Sequence, residues 1–128
     1  MYTYRRCYAY SGIRAGRLAK RVSLAFFTRY SLYHVATWDF PHTTVYLYAS
    51  RLGERVAISI SENAAILAIL AANRARAHSI LLTVLNALKQ EAAGVKPVEC
   101  NTVNLPRARG EPRVTIYEHA ARKLAMIA

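Results

Sequence analysis

Residues 13–38 read IRAGRLAKRVSLAFFTRYSLYHVATW, and residues 1–12 before them read MYTYRRCYAYSG. Placed on a helix at about 100° per residue, Tyr10, Arg14, Arg17 and Arg21 fall within about 60° of one another, while Leu18, Val22, Phe26 and Tyr33 gather on an adjoining face. The spacing predicts a helix with a cationic stripe beside an aromatic and aliphatic one. Residues 1–38 contain Arg5, Arg6, Arg14, Arg17, Lys20, Arg21 and Arg29 and no Asp or Glu. Neutralisation therefore has to come from a partner, and the classes that supply it are nucleic acid, an anionic membrane surface and an acidic protein.

The rest of the composition ranks these partners. The 128 residues carry a formal net charge of +11 and a pI near 10.2, ordinary values for a protein that coats or scaffolds nucleic acid. Arginine outnumbers lysine fourteen to four. A guanidinium offers a planar fork that fits phosphate oxygens and stacks on rings, whereas an ammonium acts as a point charge. The longest apolar run, Ala64 to Ala72, is far short of the roughly 20 residues that cross a bilayer, so no membrane span is expected. Arg14, Arg17, Lys20, Arg21 and Arg29 interrupt the region where a signal peptide would need its apolar stretch. The expected location is the cytosol, or a particle assembled there.

Twelve of the thirteen Phe, Trp and Tyr residues lie in the first 48 positions. An arm of that size has too little interior to bury them, which favours packing on a neighbouring copy over stacking on bases. Asp39, Phe40 and Pro41 then end the arm, since proline biases the preceding residue away from helix. Residues 1–40 are read as a basic, aromatic, nucleic-acid-wrapping arm and residues 41–128 as a helical body.

Within the body, residues 43–60 are ambiguous. Val45, Leu47 and Ala49, then Val56, Ile58 and Ile60, alternate as in a β-hairpin around Arg51-Leu52-Gly53-Glu54. Gly53 could equally end a short helix over 43–52. A long helix is expected from about Glu62 to Ala93, opened by the Ser59/Glu62 capping pattern and stopped at Gly94, with Ile66, Ile69, Leu70, Ile80, Leu81, Val84 and Leu88 on one face. Asn73 interrupts that face, placing a break or kink near 73–79. Residues 95–112 hold three of the four prolines and read as a surface loop, whose Arg107, Arg109 and Arg113 form a second basic patch. A last helix starts at Thr115.

Catalytic and metal chemistry have no signature. The single aspartate stands alone, the six glutamates are scattered, and His34, His42, His78 and His119 show no ligand spacing. Tyr117, His119 and Arg122 could be assembled into a nucleophile with helpers, but a helix surface produces such trios by chance. Cys7 and Cys100 lack a CxxC and are read as buried unpaired thiols, with a disulfide as the alternative. No enzyme, cofactor or metal is expected.

An Arg- and Tyr-rich arm with helical spacing, an Ala- and Leu-rich helical body and a length near 130 residues together resemble the major capsid proteins of filamentous archaeal viruses, the tristromavirus group in particular. The resemblance implies a virion protein, assembled in the host cytoplasm, that wraps linear double-stranded DNA in A-form through helical arms. Its partners would be DNA, other copies of itself and a related second coat protein, with contact to an envelope left open. It also implies a mainly α fold: an extended basic N-terminal helical arm plus a C-terminal helical bundle. A hairpin at 43–60 would be the departure from the family. The nucleic-acid contacts would be Arg5, Arg6, Arg14, Arg17, Lys20, Arg21 and Arg29 of the arm with Arg74, Arg76, Arg107 and Arg109 of the body. A ribosomal or other RNA-scaffolding protein is the second reading, ahead of a nucleoid protein and a membrane-surface role.

Overall fold

Tyr2, Tyr4 and Tyr8 alternate with Thr3, Arg5 and Cys7, which is the period of a strand and not of a helix. In the computed structural model, which describes residues 1–100, Tyr2–Ala9 form β1. The chain continues through β2 (Gly12–Ile13), α1 (Ala15–Tyr30), β3 (Tyr33–Phe40), β4 (Thr43–Ala49), β5 (Arg55–Ser61), β6 (Ala64–Ala71), α2 (Arg74–Glu91), β7 (Ala92–Ala93) and β8 (Lys96–Val98). Six strands make an antiparallel sheet in the order β3-β4-β5-β6-β1-β8, and β2 pairs with β7. The expectation of a mainly α protein is overturned: 45% of residues are in strands and there are two helices among the described residues.

The N-terminal helical arm is replaced by four elements, β1, β2, α1 and β3. β1 pairs along its full length with β6, from Tyr2↔Ala71 to Ala9↔Ala64, and β3 pairs with β4. Only the middle of the stretch, α1, is helical. Leu18, Val22 and Phe26 are its buried residues, one per turn. No side chain caps its N-terminus, and its first turn holds no acid. The missing cap and Gly16 in the first turn cost at most about 1 kcal/mol each, whereas each of the three buried side chains contributes roughly 1.5–3 kcal/mol, so burial decides. At the other end Ser31 adopts a left-handed φ of 52°, Leu32 donates its N–H to the Phe26 carbonyl at 3.1 Å, and the Leu32 side chain is buried, a Schellman-type stop.

The hairpin at 43–60 is present as β4 and β5, turning through Gly53 at a φ of 86°. The helix expected over 62–93 is three elements, β6, α2 and the short β7. Residues 64–71 are β6, paired with both β5 and β1, and α2 begins only after Asn73, whose side chain accepts the Arg76 N–H at 2.9 Å as N-cap. The break expected near 73–79 falls at this strand-to-helix change.

Alternation divides the sheet. Tyr8, Tyr48, Val56, Ile58, Ile60, Leu67 and Ile69 meet Leu18, Val22 and Phe26 of α1 and Ala77, Ile80, Leu81, Val84 and Leu88 of α2 in one core. The opposite face holds a second apolar cluster of Val45, Leu47 and Ala57 with Ala36, Trp38, Phe40 and Ala68. Cys7 and Cys100 form a disulfide with Cα atoms 5.1 Å apart, so the reading as unpaired thiols is also corrected. In the chain-entropy view, closing a loop of 93 residues stabilises the fold by about 4–5 kcal/mol.

A candidate polyanion-binding surface on the first helix

α1 and α2 pack side by side, and they run antiparallel. Tyr30, at the end of α1, hydrogen-bonds Ser79 and Thr83 near the middle of α2 and accepts from Arg76 in its first turn, and Arg14, before the start of α1, meets Gln90 and Glu91 at the end of α2. This pairing leaves the outer surface of α1 to solvent. Arg14, Arg17, Lys20, Arg21 and Arg29 are all exposed, and the helix contains no acid.

One carboxylate lies beneath them. Glu91 has a side chain only 2% exposed, and Arg21 Nε donates to its Oε1 at 2.8 Å. Arg14 Nε lies 3.1 Å from Oε2 without the alignment of a hydrogen bond, so that oxygen is buried and otherwise unbonded. The Arg21 hydrogen bond, with the charges of Arg14, Arg21 and Arg17, outweighs burial and holds the Glu91 carboxyl below its ordinary value. The two arginines keep 59% and 54% of their side chains exposed. A single carboxylate thus orients two guanidiniums without covering them. It is one acid against five exposed cations on and beside the helix, so most of that charge is left uncompensated.

A groove of about 370 Å³ runs between the helices. Arg21, Thr28 and Arg29 line it from α1, and Thr83, Asn86 and Gln90 from α2. Guanidiniums beside neutral donors and acceptors suit an oxyanion with attached polar groups, the chemistry of a phosphate on a sugar.

The remaining cations expected to bind are scattered. Tyr10, placed on the stripe from sequence, is buried before the helix begins and donates its hydroxyl to the Ser61 and Ala64 carbonyls, and burial pushes its phenol well above the ordinary value. Arg5 and Arg6 lie on β1, where Arg6 stacks over the Tyr4 ring at 3.9 Å. Arg74 is exposed in the first turn of α2. Arg76 faces inward: its Nε donates to both oxygens of Glu54 at 2.8 and 2.7 Å, and its Nη2 donates to the Tyr30 carbonyl at 2.7 Å. Arg107 and Arg109, with Tyr117, His119 and Arg122, lie outside the described residues.

Sequence reasoning missed Glu91 and the polar wall of α2, and no local signal could have found them, since 70 residues separate Arg21 from Glu91. Among the described residues no cluster of His, Cys, Asp and Glu has the makings of a metal site, and no helix is long and apolar enough to cross a membrane. Compared with protein-family models and with curated proteins, the chain matches none.

Proposed function

We propose that this is a non-enzymatic nucleic-acid-binding protein that grips the phosphate backbone of a duplex with the outer surface of α1, and that a coat or scaffold role is the assembly-level form of that binding. The observation that carries the reading is the set of five exposed cations on and beside α1 against one buried acid. A helix of 16 residues is about 24 Å long, enough to follow several phosphates along one strand. Contacts of this kind fix position on the duplex and carry no base sequence, which is what a protein that covers any genome needs. The helical layout behind the likeness to filamentous-virus coat proteins is not the one found, and the hairpin at 43–60 is a departure from that family. The reading therefore rests on the surface of α1 alone.

A second reading is favoured by Leu24 and Phe27, which are 66% and 60% exposed beside these cations: an anionic lipid surface would take both the charge and the apolar side chains.

The test is the salt dependence of duplex binding. Four phosphate contacts predict a slope of log K against log salt of about −3 to −4, and Arg17→Ala with Lys20→Ala should make it shallower by about 2. Unrelated duplexes of equal length should bind alike. A triple variant that also carries Arg29→Ala and keeps the full slope would refute the assignment to α1. Binding to anionic vesicles but not to duplex would favour the lipid reading.

A further inference from the structure

The two ends of the six-stranded sheet are built differently. β8 is three residues long, with Pro97 at its centre and Lys96 beside it, and short length, proline and lysine all discourage strand addition. β3 is eight residues long, and among the described residues no strand pairs with its outer side. From Tyr30 to Ser50 the sequence has no Arg or Lys, although the chain has 18, so β3 itself carries no cation to guard its edge. Large apolar side chains border it. Phe27 of α1 is exposed, as are Tyr33 and Val35 of β3, and the Phe27 and Tyr33 rings meet edge to face at 5.7 Å. Exposed side chains of this size gathered in one place mark an interface.

The geometry points to a two-fold dimer in which β3 pairs antiparallel with β3 of a second copy. One register makes the strand complementary to itself. Centred on Thr37, it sets Ala36 against Trp38 of the second copy. The register of β3 against β4 shifts between His34 and Ala36, which leaves Val35 bulged. Beyond that bulge His34 stands opposite Asp39 of the second copy, and Tyr33 opposite Phe40. Each pair shares a face, as antiparallel pairing requires: His34, Thr37 and Asp39 lie opposite Tyr48, Tyr46 and Thr44 of β4, on the helix side. The axis generates the His34–Asp39 pair twice, an imidazole facing a carboxylate each time. A slip of one residue would put mismatched faces together. Since α1 packs beside β3 and α2 against β6 and β1, the axis also draws the two α1 helices together, with Phe27 at the seam. An isologous contact closes on itself, so assembly through this edge stops at two copies.

The dimer is independent of the nucleic-acid reading and is measured without any polyanion. Sedimentation equilibrium of the full chain should give twice 14.3 kDa. Thr37→Lys, which sets two cations against each other on the axis at an exposed position, should weaken dimerisation at least tenfold. His34→Asp should also weaken it, by facing two carboxylates, and adding Asp39→His should restore it. A wild-type chain that sediments as a monomer overturns the proposal. So does a dimer indifferent to Thr37→Lys, or a double exchange that fails to recover what His34→Asp loses.

Discussion

Two glutamates close the two ends of the helix pair, and they do different things with the same chemistry. Glu54, in the β4–β5 turn, is fully buried. It takes Arg76 on both oxygens, the Ala72 N–H on Oε2 at 3.1 Å and the Ser50 hydroxyl on Oε1 at 3.4 Å. Arg76 goes on to the Tyr30 carbonyl and faces the Tyr30 ring at 5.3 Å. One ion pair therefore joins a hairpin turn, the end of α1 and the start of α2. Glu91 is as deeply placed, yet its two arginines remain more than half exposed and one of its oxygens lacks a hydrogen bond. The comparison teaches that the surroundings of a carboxylate, more than its burial, decide its role. Where every lone pair is matched the pair is architecture, and where the cations outnumber the acid it positions charge for something outside.

The sharpest way to break this contrast is Arg76→Ala, which leaves Glu54 buried with its main partner gone. Removing one member of a buried pair costs about 3–5 kcal/mol, and chemical denaturation should read a loss of that size. A loss below about 1 kcal/mol would place this pair with surface ion pairs.

Acid titration should follow. Burial raises the Glu54 carboxyl, but the hydrogen bonds from Arg76, Ala72 and Ser50 and the Arg76 charge bring it below its ordinary value of 4.5. Its contribution is complete above that value and is lost as pH falls through the lower folded value. The unfolding midpoint of the wild type should fall steadily below about pH 4.5, and Glu54→Gln, though less stable at neutrality, should show a flatter acid limb.

The smallest effect on stability is expected at the other end. Because its arginines stay more than half exposed, Glu91→Gln should lower the unfolding midpoint by less than Arg76→Ala does while freeing Arg14 and Arg21, and the salt slope for duplex should steepen by about 1 to 2. An unchanged slope would mean that these two arginines never reach phosphate.

Much of this fold was legible where neighbours in sequence are neighbours in space. Val45 to Ala49 and Val56 to Ile60 alternate, Gly53 turns between them, and the hairpin forms as that pattern requires. β6 was not legible. Ile66, Leu67 and Ile69 are all buried because the sheet carries apolar clusters on both faces, so the run AAILAILA shows no period of two and fits a helix just as well. The N-terminal strand was misread for another reason. Its tyrosines alternate plainly, but extending the wheel of α1 back to Tyr10 placed that residue in line with Arg14 by arithmetic alone. The cationic face of α1 survives in part because Arg14, Arg17 and Arg21 are spaced locally. The Glu91 carboxylate that orients two of them, and the Glu54–Arg76 pair, depend on contacts across 70 and 22 residues, which no local pattern encodes.

β1 is first in the chain, yet its neighbours in the sheet are β6 and β8. The meander from β3 to β6 closes through short turns and can assemble as a local unit. β1 must then find its place beside β6 across about sixty residues, a slower closure on loop-entropy grounds. The helices and the meander should therefore form the folding nucleus, with docking of the tyrosine-rich strand as the late step. On that order the Cys7–Cys100 bond records the completed sheet and does not guide it. Quenching the thiols early in oxidative refolding should trap chains in which β3 to β6 are protected from hydrogen exchange while β1 is still open.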